Sequence, residues 1–190
     1  MFDVFKVLNM QIFFLSALLF FIGYALAPTA YYKNIKWLTA YPFLIIKLMD
    51  RYFRQDWHPL KIFIVIFVLN SFSLFLNLLS GWGVILPCLF MVYMGINIGV
   101  VMYHSLEGQL YYTSLFNPVS LLELPAAWIS ITMAIQFSLT NYFELSLIDS
   151  FSFSQYVIIF LKTVIPLLFV AGILETILIV FGRNKKTGSD

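Results

Sequence analysis

Five stretches of this chain are each apolar for about the length that a helix needs to cross a bilayer, about 20 residues. They run from about Met10 to Ala27, Ile62 to Ser80, Val84 to Tyr103, Val119 to Leu139, and within Tyr156 to Phe181. Of the 190 residues, 62% are hydrophobic and 11% are charged. A soluble domain of this size would carry about 25% charged residues. The expected fold is therefore all-α, a polytopic transmembrane bundle of about five spans. It forms a single integral membrane domain over residues 1–190.

The first run ends in "ALAP", with an A-x-A pattern at Ala25 to Ala27 that suits a signal-peptide cleavage site. Two features oppose cleavage. Pro28 would follow the cut, and the apolar run exceeds the usual 7–15 residues of a signal core. It is read as a retained anchor.

Orientation follows from where lysine and arginine fall. Lys33, Lys36, Lys47, Arg51, Arg54 and Lys61 lie between the first two spans, and Arg183, Lys185 and Lys186 follow the fifth. Five spans put these nine on one side, against Lys6 and Lys162 on the other. The loop after the fourth span adds acidic Glu144 and Asp149 to that second side. The expected topology has the N-terminus outside and the C-terminus in the cytoplasm.

The first basic segment is more than a loop. "YPFLIIKLMDRYFRQDW" sets Lys47, Arg51 and Arg54 at helical spacing, with Leu44, Ile45, Leu48, Met49, Tyr52 and Phe53 around the rest of the turn. This predicts an amphipathic helix over about 42–57 at the membrane interface. Its basic face suits anionic headgroups, and Trp37 and Trp57 suit the headgroup level. It could equally pack beneath the bundle as a cover. "HSLEGQLYYTSLFN", from His104 to Asn117, is a second short connection on the same side.

Polar residues inside the spans converge on one depth. At 1.5 Å per residue, Glu123 lies about 6–9 Å from the basic-side end of its span, and Glu175 and Asn97 each about 9 Å. Asn70 lies about 12 Å in by the same measure, and only Asn77 sits distinctly toward the other side. An ionised carboxylate in hydrocarbon costs several kcal/mol and is found facing a bundle interior, paired or hydrated. Two readings follow: a buried hydrogen-bonded clasp that selects helix neighbours, or a proton or cation pathway.

Prolines feed this layer. Pro125 cannot bond the carbonyl of Leu121, and Pro166 frees that of Lys162. Pro118 is different, since a proline near the first turn loses nothing. "GINIG", from Gly95 to Gly99, forms a small-xxx-small face that lets another helix approach, within the chain or across a dimer. Asn97 stands at the centre of that face.

The cadence from Asn70 through Asn97 to Gly99 resembles the stage II sporulation protein M family. "NPVSLLELPAAW", Asn117 to Trp128, resembles that family's Pro-His-Gly…Glu-Leu-Pro-Ala signature, and "IPLLFVAGILETIL", Ile165 to Leu178, its closing Pro-Leu-Leu…Glu motif. The resemblance covers roughly Asn70 to Phe181. Val119-Ser120 replaces the His-Gly of the signature, so no role of that histidine transfers. The resemblance implies a polytopic helical protein without catalytic activity of its own. The family's namesake works in a membrane complex with cell-wall-degrading partners during engulfment, and relatives occur in prokaryotes that never sporulate.

The expected function is a non-enzymatic scaffold or assembly subunit of a prokaryotic membrane complex. The alternative is a channel or transporter component that uses the Glu/Asn layer, as proline-broken helices do in transporters. The two separate histidines, His58 and His104, and the single cysteine, Cys88, make no metal signature. An intramembrane hydrolase would need a nucleophile with a base, two aspartates, or a metal with histidines. No cofactor is expected. Expected partners are the bilayer, other membrane proteins and further copies of the chain, and not nucleic acid.

Overall fold

A computed structural model describes residues 7–52, 57–143 and 151–187 of the chain. Its helices are α1 (Met10–Tyr32), α2 (Lys36–Tyr52), α3 (Pro59–Leu79), α4 (Leu86–Ser105), α5 (Ser120–Phe143) and α6 (Phe153–Thr187). Short 3-10 turns cover Ser80–Trp82 and Tyr111–Phe116. Among the described residues, α1 and α3 to α6 are each long and apolar enough to cross a membrane. The fold is an all-α polytopic helical bundle, as the apolar runs predict.

Boundaries follow local chemistry. Asn9 caps α1, its side chain accepting from the backbone N–H groups of Gln11 and Ile12 at 2.9 and 3.3 Å. α1 then runs through Pro28 to Tyr32, five residues past the Ala27 of "ALAP", and the chain turns at Asn34, whose φ of 46° is left-handed. Asparagine tolerates that conformation and commonly ends helices. Proline stands at the first turn of α3 and of α4, where its missing N–H costs nothing. The "GWG" corner is a tight turn: Gly83 N–H donates to the Ser80 carbonyl at 2.9 Å. A Cβ on Gly81 would stand 2.7 Å from the Ala134 carbonyl oxygen, so only glycine fits against α5 there.

α5 is the hub. More than half of it is enclosed by its neighbours, against about a third or less of each other spanning helix. It is also the least apolar of the five. These two facts belong together, since polar side chains are kept out of lipid by burial among other helices. Trp128 of α5 meets Phe13 and Phe20 of α1 edge-on, with ring centroids 5.9 and 6.3 Å apart. α6 packs on α3 through Phe169 against Phe63 and Phe67, at 5.3 and 5.8 Å.

The closest helix pair is α1 with α4. A Cβ on Gly23 would lie 2.0 Å from the Val92 carbonyl oxygen, and one on Gly95 2.2 Å from that of Phe20. One on Gly99 would lie 2.4 Å from the Ala27 side chain. Backbone thus meets backbone, and the "GINIG" face is occupied within the chain. Dispersion over such a contact drives helix pairing where no hydrophobic effect operates.

α2 begins six residues before the expected interfacial helix and is described to Tyr52; residues 53–56 lie outside the described part. It packs back across the ends of α1 and α4. Phe43 lies 5.9 Å from the ring of Tyr31 and 5.9 Å from that of His104.

Candidate functional site

The site starts from α5. Asn117 folds back over its first turn: the Ser120 N–H donates to Asn117 Oδ1 at 2.8 Å, and Asn117 Nδ2 donates to the Ser120 hydroxyl at 2.8 Å. Pro118 fills the turn between them, and α5 begins at Ser120. That cap sets Glu123 on the first turn, half-buried, facing α3. There Asn70 Nδ2 donates to Glu123 Oε1 at 2.6 Å. The bond is short, and it joins two spanning helices 53 residues apart in sequence.

Glu175 of α6 comes within electrostatic reach of Glu123, so the two carboxyls do share one region. No hydrogen bond to the Glu175 carboxyl occurs among the described residues. The Asn70–Glu123 bond joins α3 to α5, and Glu175 of α6 bears on Glu123 electrostatically without a hydrogen bond to it.

Asn97 does not join Glu123. Its Oδ1 is buried and unbonded among the described residues. The reason is angular. Asn97 lies midway between Gly95 and Gly99 in sequence, but at about 100° per residue it points about 200° away from each. The glycines face α1, so Asn97 faces away from α1. "Centre of the face" held along the chain and failed around the helix.

The polar groups nearer the opposite end are consumed one by one. Ser130 donates to the Leu74 carbonyl at 2.7 Å, joining α5 to α3. Thr132 donates to the Trp128 carbonyl at 2.7 Å and lies 3.2 Å from the Ser16 hydroxyl of α1. Asn77 donates to the Met94 sulfur at 3.6 Å. Gln136, almost wholly buried, donates through Nε2 to the Val7 carbonyl at 3.0 Å, while its Oε1 accepts from Asn9 N–H at 3.2 Å. Ser73 is exposed to the lipid side, and the Ser71 hydroxyl is buried without a partner among the described residues.

Of the helix-packing residues expected, Gly95 and Gly99 face α1, and Pro125 and Pro166 lie inside continuous α5 and α6. Lys47 is exposed on α2. The Arg51 side chain and all of Arg54 lie outside the described part, as do Lys6, Glu144 and Asp149. The Gln136 tether and a tyrosine pair, Tyr24 with Tyr111, were not singled out from the sequence. The Gly23–Ala27 spacing in α1 was a legible signal for α4's partner, because it repeats the small-xxx-small pattern of Gly95 and Gly99.

The family profile described as Stage II sporulation protein M matches residues 10–178. The chain belongs to the stage II sporulation protein M family. The match reaches back through α2 and α1 to Met10, well before the Asn70 at which the motif resemblance begins. The α1–α4 packing thus lies within the family region, together with both glutamate motifs of this SpoIIM-family chain. No curated protein and no solved structure matches the chain.

Proposed function

We propose that this SpoIIM-family protein is a non-enzymatic membrane scaffold or assembly subunit of a prokaryotic membrane complex, and that Asn70, Glu123 and Glu175 form a clasp selecting the α3–α5–α6 arrangement. One observation carries the reading: four intramembrane polar side chains are spent on named bonds to other segments of the chain. Ser130, Thr132, Gln136 and Asn77 each have a partner on the far side of the Asn70–Glu123 bond. A permeation path would use such groups for its cargo. Bonds of this kind average only about 0.6 kcal/mol in membranes, so their effect is choice of neighbour more than stability.

Self-association must use surfaces other than the Gly95/Gly99 face, since α1 occupies it. The basic-residue balance supports a cytoplasmic C-terminus and an external N-terminus. A reporter fusion at Lys185 that reads as external would overturn that orientation.

The test separates hydrogen bonding from titration. Glu123→Gln keeps an acceptor for Asn70, and Glu123→Leu removes it. A scaffold requires that Gln preserve assembly and partner recovery and that Leu impair them. Co-purification from the native membrane with mass spectrometry reads both partners and oligomeric state.

A second reading, a channel or transporter component, draws on the two neighbouring carboxyls and on the unbonded Asn97 Oδ1 and Ser71 hydroxyl. A Glu123→Gln variant that assembles normally and yet loses function would favour it.

A further inference from the structure

We propose that α2 and the connection over residues 106–116 together form a headgroup-level platform that binds anionic phospholipids. The inference is independent of the scaffold reading.

The two segments are distant in sequence and are held at the same end of the bundle. Phe43 of α2 packs on Tyr31 and His104, at the ends of α1 and α4. Tyr111 of the connection stacks on Tyr24 of α1 at 4.4 Å and bonds to it.

Both present apolar side chains outward, and the lysines stand on and beside α2, since the connection carries only the exposed acidic Glu107. In α2, Thr39 and Pro42 are buried against the bundle. The opposite face exposes Trp37 (74%), Tyr41 and Leu44, with Lys36 and Lys47 exposed beside them. Lys33 and Lys61 are exposed at the same end, and the Lys61 ammonium lies 4.1 Å from the Trp57 ring centre. This is the pattern of an interfacial helix: rings and aliphatic tips at the acyl boundary, ammonium groups among phosphates. Lysines near an anionic surface add attraction that a neutral surface lacks.

The connection adds a second, independent sign. Leu110 has φ +51°, a left-handed conformation unfavourable for a bulky residue, and is 76% exposed. Its carbonyl caps the following 3-10 turn, accepting from the N–H groups of Thr113 and Ser114 at 3.1 and 3.0 Å, while its side chain is left outside. Tyr111 takes the buried position, which turns Leu110, Tyr112 (69%) and Phe116 (77%) outward. Backbone strain combined with apolar exposure has a physical rationale if lipid receives these side chains. The lipid-facing stripe of α1, with Phe14, Leu18, Ile22 and Leu26 exposed, leads into the same end.

The full-length protein, reconstituted in vesicles of equal phosphatidylcholine and phosphatidylglycerol, is extracted in polymer-bounded discs, and the lipid in the discs is measured. Phosphatidylglycerol should be enriched severalfold over the bulk vesicle. The triple variant Lys33→Gln, Lys36→Gln, Lys47→Gln should bring that ratio near parity. Parity in the wild type, or undiminished enrichment in a folded triple variant, overturns the proposal. A nitroxide placed by Leu110→Cys in a Cys88→Ser background, with the lysines intact, tests it separately. It should be relaxed by oxygen and protected from an aqueous nickel chelate. Free access to the chelate would overturn insertion, and protection from both reagents would mean that a protein covers the face instead.

Discussion

The Tyr24 hydroxyl donates to the Tyr111 carbonyl at 2.8 Å, and the Tyr111 hydroxyl donates to the Tyr24 carbonyl at 2.5 Å. The two rings stack 4.4 Å apart and 5° from parallel. Each residue thus supplies both halves of a reciprocal bond, and α1 is latched to the connection before α5. Burial, and then the neighbouring Tyr24, hold the Tyr111 phenol well above the ordinary tyrosine range, so it stays a donor.

Tyr111→Phe should lower stability by about 1–3 kcal/mol, because it leaves a buried carbonyl without its donor. Tyr24→Phe should cost less, since the Ser114 hydroxyl also donates to the Tyr111 carbonyl, at 2.7 Å. The two losses should be less than additive in a double-mutant cycle read by thermal unfolding in detergent.

Gly95→Ala should be disruptive out of proportion to one methyl group. Its Cβ would stand 2.2 Å from the Phe20 carbonyl oxygen, so α1 and α4 must separate. Overpacking of this kind costs about 1–3 kcal/mol or more. Gly182→Ala is the matched control, with nothing within 4 Å of its Cβ. A Tm that falls equally for both variants would refute the close-approach account.

Gln136→Leu should release the N-terminal segment while leaving the bundle assembled. The variant loses the bonds to Val7 and Asn9 at 3.0 and 3.2 Å, which leaves residues 7–9 held by the core packing of Val7 and Leu8. Hydrogen exchange should quicken at residues 7–9 and stay unchanged in α3 and α6. Uniform acceleration would mean that Gln136 supports the whole core instead.

Asn70→Leu and Glu123→Leu should show coupling of about 0.6–1.7 kcal/mol, the range measured for bonds between membrane helices. A coupling near zero would remove the clasp from the scaffold reading.

Several elements were legible in one dimension. Spans were readable because transfer to lipid depends on a running sum of hydropathy, which local sequence contains. Glu123 and Glu175 could be placed at one depth because rise per residue is constant. Asn97 shows where that reasoning stops. Depth follows from counting, but direction around the helix matters only once a neighbour is known. α1 continues past the apolar run that ends at Ala27, because the Tyr24 carbonyl that Pro28 leaves free accepts from the Tyr111 hydroxyl.

Composition and the lengths of the apolar runs were sufficient to establish a helical, polytopic membrane protein, and its motifs pointed to its family. These properties depend on each segment's own exchange of water for lipid. Which helix receives which could not be read the same way. Asn70 rather than Asn97 meets Glu123, Gly23 rather than a second chain meets Val92, and Gln136 meets the N-terminal segment. Each pairing depends on the rotation and separation of two helices at once, and those are set by the packing of the whole bundle.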